Sequence, residues 1–148
     1  MNELSVRVPE GWLRKESTTL LHPEGSANVI ASTEPLSDDI DAQRYVDAQG
    51  ELLRTEFPSY REFRIERMLV FGGLDGFMRL FEWTPPDGTP VTQMQIYAVA
   101  NGRGITATAT CPTSFFKEVE LLLVSVLDGL SFLGEGHGSA AESSNQPS

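Results

Sequence analysis

The chain has very little of the chemistry from which enzyme active sites and metal centres are built. Among its 148 residues there are one cysteine and two histidines. A single cysteine, Cys111, excludes a disulfide within the chain, and neither His22 nor His137 has Cys, Asp or Glu partners at a metal-ligand spacing. No Gly-x-Ser-x-Gly elbow is present, and Gly72-Gly73 precedes a predicted strand, whereas a phosphate-binding loop precedes a helix. The sequence therefore predicts no enzyme, no metal and no cofactor.

Two side chains keep an enzymatic alternative open. Glu82 lies within a strongly apolar predicted strand, and Cys111 ends another strand just before Pro112. Glu82 is more simply explained by a cross-strand ion pair with Arg79 or Arg103. Cys111 is more simply explained as a small buried hydrophobe.

Long apolar runs and positive charge are also scarce. No run approaches the roughly 18 consecutive apolar residues of a membrane helix, and the first nine residues lack the pattern of a signal peptide. We therefore expect a cytoplasmic protein without direct membrane insertion. With 21 acidic and 11 basic residues the net charge is −10, which would repel nucleic acid and anionic lipid. The acidic balance is explained either by solubility or by an acidic rim that attracts a basic partner.

The length and the order of apolar patterns predict one α+β domain over residues 1–133. Residues 134–148 contain no large apolar side chain and are rich in Gly, Ser and Glu, which predicts a disordered tail. Pro-rich and Gly-rich turns separate the predicted elements. The seven predicted strands are 3–8, 13–21, 27–34, 61–71, 77–84, 91–99 and 105–110. The two predicted helices are 39–57 and 114–130. We expect a curved antiparallel sheet with both helices on one face.

The strand at 91–99 has an unusual face. Successive side chains of a strand point to opposite faces. The apolar set that predicts a core contact is Met94, Ile96 and Ala98. The opposite set is uncharged but able to form hydrogen bonds, and consists of Gln93, Gln95 and Tyr97. Because an ordinary solvated face carries charged residues, this second set indicates an interaction surface, which the apolar side chains of Phe81 and Trp83 would extend.

The first predicted helix also carries an amide side chain at a position where an apolar one is expected. The apolar stripe of this helix includes Tyr45, Val46 and Leu53, and Gln49 interrupts it. A buried amide must be hydrogen-bonded or it destabilises the fold by a few kcal/mol; alternatively, Gln49 lies at the edge of the stripe and meets water. Gly50 weakens the helix by about 1 kcal/mol relative to Ala, and it predicts close packing at that point.

Several short motifs resemble the DcrB-like family over residues 1–133. They are the turn Val8-Pro9-Glu10-Gly11-Trp12, the helix segment Tyr45-Val46-Asp47-Ala48-Gln49, the later glutamine-bearing strand, the strand segment Thr108-Ala109-Thr110 and the C-terminal amphipathic helix. The resemblance implies the fold that PsbP-like proteins share. One branch of the family comprises the Eag chaperones of bacterial type VI secretion, which bind apolar N-terminal segments of effectors in the cytoplasm. Other branches are envelope lipoproteins.

The resemblance implies a function and a set of groove residues. We expect a homodimeric, non-enzymatic chaperone or adaptor that binds the apolar, transmembrane-like N-terminal segment of a secreted effector for loading onto a type VI-like apparatus. By motif, Gln49 and Gln95 match the two glutamines beside the groove. The other residues that we expect to line it are Thr18, Leu20, Phe57, Phe81, Trp83, Gln93 and Tyr97. The alternative is a small-molecule or lipid-binding module of the bacterial cell envelope.

Overall fold

The computed structural model describes residues 7–12 and 15–132. These residues form six strands and two α-helices, in the order β1 (Glu16–Leu21), β2 (Asn28–Pro35), α1 (Ala42–Glu56), β3 (Arg61–Val70), β4 (Leu74–Trp83), β5 (Val91–Ala100), β6 (Arg103–Pro112) and α2 (Phe116–Asp128). A short 3-10 turn, Thr113–Phe115, leads into α2. No helix of the described residues is both long enough and apolar enough to cross a membrane.

All neighbouring strands are antiparallel, and they follow the order β1-β2-β6-β5-β4-β3 across one sheet. β3 to β6 form a meander of consecutive hairpins, and β6 returns beside β2. The predicted α+β class and antiparallel sheet are therefore confirmed. Six strands occur in the described ranges, where seven were expected over the whole chain. Residues 3–6 of the predicted first strand, and the predicted tail at 134–148, lie outside the described residues.

The two helices cover opposite faces of the sheet, so the prediction that both lie on one face is wrong. α2 packs on the face that carries Met94 and Ile96, together with the small residue Ala107 of β6. α1 packs on the other face, against Phe77 and Tyr97. The reason is that β5 carries large apolar side chains on both faces, and each face needs its own cover. We call these surfaces the α2 face and the α1 face.

The α2 face holds the larger apolar core. Leu123 and Leu127 of α2 are each 3% exposed, and Ala107 and Ala109 of β6 are fully buried beneath the helix. Small side chains on β6 allow the leucines to approach the sheet closely. Burying a leucine side chain contributes roughly 1.5–3 kcal/mol, so this contact stabilises the position of α2.

The N-terminus of α1 lies slightly later than the sequence indicated. The N-cap is Asp41, whose Oδ1 accepts a hydrogen bond from the backbone N–H of Arg44 at 2.9 Å. The predicted capping residues form a local turn before the helix, in which Ser37 Oγ donates to Asp39 Oδ1 at 2.6 Å. The helix ends at Glu56, followed by Phe57 as the C-cap and then Pro58.

Candidate functional site

Arg79 of β4 is the centre of a hydrogen-bonded network beneath α1. The residue is 3% exposed. Its Nε donates to Glu62 Oε1 at 3.2 Å, its Nη1 to Tyr97 OH at 3.1 Å and its Nη2 to the Val46 carbonyl at 3.2 Å. A buried cation destabilises a fold unless it is paired and hydrogen-bonded, and these acceptors meet that need. Arg79 thereby joins β3, β5 and α1 to β4.

Two glycines allow α1 to lie this close to the sheet. A Cβ atom at Gly50 would stand 2.6 Å from Arg79 Nη2, and one at Gly104 would stand 2.5 Å from Tyr45 Cζ. Neither neighbour is free to move away. Arg79 is held by its hydrogen bonds, and Tyr45 OH is held by Glu34 at 2.9 Å and Thr106 at 3.0 Å. The close packing expected at Gly50 is therefore present, and Arg79 is the residue it accommodates.

The two glutamines of β5 form ladders to threonines of β6. Gln95 accepts a hydrogen bond from Tyr97 OH and donates from Nε2 to Thr108 Oγ1 at 3.0 Å. Gln93 accepts from Trp83 Nε1 at 2.8 Å and donates from Nε2 to Thr110 Oγ1 at 2.7 Å. Each amide nitrogen has a second N–H that these bonds do not use. Both residues are half-buried, and these hydrogen bonds hold the two amides in place.

Burial keeps the phenols of this region protonated. It raises the pKa of Tyr97 to about 12, and the nearby Arg79 guanidinium offsets part of that effect. Burial likewise raises the pKa of Tyr45 and that of Tyr60 above the usual value. These groups therefore act as neutral hydrogen-bond donors at physiological pH, and Tyr97 holds the Gln95 amide in one orientation.

Beside α1, part of the α1 face is left uncovered by the described residues, and we call this part the uncharged strip. Residues that pair across antiparallel strands share a face, so the registers identify its members. They are Ser17, Thr19, Leu21, Asn28, Ile30, Ser32, Gln93, Gln95, Thr106, Thr108 and Thr110. None of these side chains is charged. Ile30 at the centre is 43% exposed and Leu21 is 73% exposed, so the strip presents hydroxyl, amide and aliphatic groups to its surroundings.

Gln49 lies on the flank of α1 that borders the strip. Tyr45 contacts Gly104 and Thr106 of β6, which places it on the β6 side of the helix. Residues four apart on a helix lie on the same flank, so Gln49 follows on the side of the strip. It is half-buried, and the described part of the chain offers it no hydrogen-bond partner. The structure therefore brings Gln49, Gln93 and Gln95 to one region, as the sequence suggested.

An aromatic pair closes one end of the strip. The rings of Phe57 and Trp83 lie 4.1 Å apart between centroids, and the indole N–H of Trp83 donates to Gln93. Both rings are half-buried. At the opposite end the strip is bounded by charge, since Lys15 Nζ lies 3.9 Å from Glu34 Oε1. The uncharged surface thus has an aromatic end and a charged end.

Four predicted groove residues lie elsewhere. Phe81 and Tyr97 are 0% exposed beneath α1, so they support the site and do not line it. Thr18 and Leu20 point to the α2 face, because their neighbours Thr19 and Leu21 occupy the strip. Thr18 and Leu20 therefore cannot share one groove with Gln49 and Gln95. A shift of one residue in the pairing of a strand moves every side chain to the other face of the sheet. The sequence alone does not fix the pairing of β1, so it does not show which side chains of β1 lie on the α1 face.

Leu20 instead lines an apolar cavity of about 160 Å³ between the β1–β2 hairpin and α2. Its walls are almost entirely hydrocarbon. The residues that line it are Leu20, Leu21, His22, Pro23, Ala27, Asn28, Val29, Leu122, Leu123 and Val126. Leu122 at its rim is 47% exposed. The molecule therefore offers a second apolar site on the α2 side of the β1–β2 hairpin, and this site shares Leu21 and Asn28 with the end of the strip.

The two residues of the enzymatic alternative, Glu82 and Cys111, both lie on the α2 face. Glu82 lies on the α2 face opposite Arg61 and Thr92, and the expected ion pair with Arg79 is wrong because Arg79 lies on the other face and pairs with Glu62. Cys111 is 1% exposed, and burial raises the pKa of its thiol to about 11. A nucleophilic cysteine needs the opposite shift. The described residues also contain no cluster of His, Cys, Asp or Glu that could hold a metal ion.

No protein-family model matches the chain, and no curated protein sequence matches it. Solved structures do resemble it. The protein PA94 of Pseudomonas aeruginosa, of unknown function, superposes with a TM-score of 0.75 at 14% identity, covering 90% of this chain and 94% of its own. Cyanobacterial PsbP from Synechocystis sp. PCC 6803 superposes at 0.56 with 10% identity, covering 83% and 95%. LpqN of Mycobacterium tuberculosis, involved in cell envelope biogenesis, superposes at 0.55 with 15% identity, covering 84% and 79%. The chain shares the PsbP-like fold with these proteins.

Proposed function

We propose that this chain is a DcrB-like, cytoplasmic chaperone or adaptor that resembles the Eag chaperones. In this role it binds the apolar, transmembrane-like segment of a secreted effector before the effector is loaded onto a type VI-like apparatus. The uncharged strip is the binding site, Gln49 is its helical border and the Phe57–Trp83 pair is its aromatic end. The observation that carries the proposal is the absence of charge across the named positions of the strip in a protein with net charge −10.

The chemistry of the strip suits a membrane helix held in water. Covering apolar surface contributes roughly 25 cal/mol per Å², and exposed Ile30 and Leu21 supply apolar contact. Transmembrane helices with small residues also expose hydroxyl and backbone groups. The remaining N–H groups of Gln93 and Gln95 can pair with such groups without the desolvation cost of a charge.

The chain provides a closely matched pair of variants to test this site. Ile30 on the strip and Leu20 on the opposite face are 43% and 45% exposed and lie in adjacent strands. The probe is a soluble carrier protein that displays an uncharged apolar helix of about 20 residues. Co-purification should persist with Leu20→Glu and be lost with Ile30→Glu, because only the second places a carboxylate against the bound helix. Equal binding by both variants would contradict the proposal.

The natural partner calls for a separate experiment. We expect the product of a neighbouring gene to carry apolar N-terminal segments and to be soluble only when co-expressed with this chain. Replacing Gln49 and Gln95 together with alanine should reduce recovery of that partner. Full recovery with the double variant, or a neighbouring protein without apolar segments, would argue against an effector chaperone.

A second candidate function rests on the cavity of the α2 face. Its volume of about 160 Å³ is smaller than the roughly 300–1,000 Å³ of typical drug-sized sites, and it suits the end of an acyl chain. This supports a lipid-binding module of the cell envelope as the alternative. A fluorescent fatty acid should then bind the wild type and Ile30→Glu, but not Val126→Phe, in which the cavity is filled. No binding of the fatty acid to the wild type would remove this candidate.

A further inference from the structure

Strand β3 is an edge of the sheet that remains open in the described structure. It pairs with β4 on one side, and no strand formed by the described residues lies on its other side. β3 has ten residues, whereas β1 at the opposite edge has six. Every residue of β3 from Arg61 to Arg67 is exposed. An exposed edge with free backbone N–H and C=O groups is a template for a further strand.

The side chains of β3 favour a partner of its own kind. Its exposed apolar residues are Phe63, Ile65 and Leu69, which are 45%, 41% and 69% exposed. Its charged residues are three arginines, Arg61, Arg64 and Arg67, and two glutamates, Glu62 and Glu66. In a chain of net charge −10, most surfaces of two copies repel each other. β3 is an exception, because its own charges sum to a positive value and alternate in sign.

The charge pattern selects one register for pairing with a second copy. A two-fold axis perpendicular to the sheet can relate two antiparallel copies of β3. Side chains of the same face then stay on one side of the joined sheet, and the axis lies between one residue and its own copy, which we call the residue of the axis. An axis at Arg64, Glu66 or Arg67 would bring two like charges together. An axis at Met68 or Leu69 would leave the nearest charges opposite apolar residues. An axis at Ile65 places Ile65 against its copy and Arg64 opposite Glu66 on both sides.

A β-bulge removes the register centred on Phe63. The pairing with β4 shifts between Glu62 and Arg64, so these two residues point to opposite faces although Phe63 separates them. An axis at Phe63 therefore cannot bring Glu62 opposite Arg64. The bulge also bends this end of the strand, which confines regular pairing to the part of β3 from Arg64 onwards.

We propose that the chain forms a symmetric dimer through antiparallel pairing of β3 with β3 of a second copy, centred on Ile65. Within one strand, Arg64 Nε already lies 3.1 Å from Glu66 Oε2. In the dimer, two such pairs form a square of four alternating charges. The sheets of the two copies become continuous, and both uncharged strips lie on the same side at its far ends. The interface does not depend on the function proposed above.

The test uses full-length chains and two charge reversals. Arg64→Glu makes both positions acidic, and Glu66→Arg makes both basic. Each single variant should therefore repel its own copy and sediment at the 16.3 kDa of one chain, whereas the wild type sediments at twice that mass. Mixing the two variants should restore the dimer as a heterodimer. The double variant Arg64→Glu, Glu66→Arg should also be dimeric, because opposite charges face each other again.

Three results would overturn this interface: a monomeric wild type, an unchanged dimer in either single variant, or open-ended assemblies larger than a dimer. Failure of the mixed variants to form a heterodimer would exclude the Ile65 register. The side chains of Arg64 and Glu66 are 51% and 44% exposed, so thermal unfolding of the single variants should remain cooperative. The double variant is expected to remain a dimer, so it tests the interface without depending on a loss of assembly.

Discussion

The two faces of the sheet are built on different principles. The α2 face is a contact between apolar side chains, centred on Leu123 and Leu127. The α1 face instead holds a buried cation, two phenols and one amide in one hydrogen-bonded network, which consists of Arg79, Tyr97, Tyr60 and Gln95 with Glu62 and Thr108. Apolar burial is non-directional, whereas such a network is satisfied in one arrangement only. The comparison teaches that the α2 face supplies stability, while the network of the α1 face fixes the geometry of the strip beside it.

The largest expected effect distinguishes the faces by stability. Leu127→Ala on the α2 face should lower the free energy of unfolding by about 3 kcal/mol, since a buried leucine leaves a cavity. Leu121→Ala is the matched control, because Leu121 lies on the same helix but is 83% exposed. Urea unfolding measures both. Similar losses for the two variants would show that α2 is not held by the contact described here.

Alkaline pH should weaken the α1 face selectively. The pKa of Tyr97 is about 12 in the folded protein against an ordinary value of 10.0. The protonated Tyr97 phenol therefore contributes fully to the free energy of unfolding below pH 10. This contribution, up to about 2 kcal/mol, is lost as pH rises towards 12. Tyr97→Phe should flatten this decline only in part, because the pKa values of Tyr45 and Tyr60 are also raised. Free energies of unfolding measured from neutral to alkaline pH test this prediction. The same decline in the wild type and in Tyr97→Phe would contradict it.

A double-mutant cycle addresses the approach of α1 to Arg79. Gly50→Ala should destabilise the protein by about 1 kcal/mol, because the clash with Arg79 outweighs the gain in helix propensity. In an Arg79→Met background the same substitution should become neutral or stabilising by a few tenths of a kcal/mol. The cycle isolates the coupling between the two positions. Additive effects would mean that Gly50 is not there to accommodate Arg79.

The smallest expected effect concerns Cys111. Burial raises the pKa of its thiol to about 11 and leaves it 1% exposed, so alkylation of the native protein should be slow at neutral pH. Rapid labelling should appear only after denaturation, as followed by mass spectrometry. Cys111→Ser should leave binding by the strip unchanged, because Cys111 lies on the α2 face. Fast labelling of the native protein would show that this face opens readily.

Much of the fold could be predicted from local patterns. The four-strand meander and both helices follow from alternation, turn residues and amphipathic periodicity, and the alternation along β5 also shows that Gln93 and Gln95 share one face. The face of β1 could not be predicted, because Thr18 and Thr19 are chemically equal and only the pairing of β1 with β2 decides between them. Ile30 was missed for a similar reason, since its exposure depends on how far α1 extends over the sheet.

The hydrogen-bonded network around Arg79 could not be predicted from the sequence either. Arg79 and Glu82 are close in the chain, and the sequence favours an ion pair between them. The partner of Arg79 is instead Glu62, because the register of β3 and β4 brings these two residues together. Phe81 and Tyr97 resembled surface residues only under the assumption of an open face. The position of α1 over that face turned them into core.

The central claim is that the uncharged strip binds an apolar helix, and Trp83 offers a direct reporter of it. The chain has two tryptophans, and Trp12→Phe leaves Trp83 as the only indole, next to Gln93 at the aromatic end of the strip. We predict that the carrier-displayed apolar helix shifts the Trp83 emission in a saturable manner, and that Ile30→Glu abolishes the shift while Leu20→Glu preserves it. Saturable binding that leaves Trp83 emission unchanged, or that survives Ile30→Glu, would contradict the account.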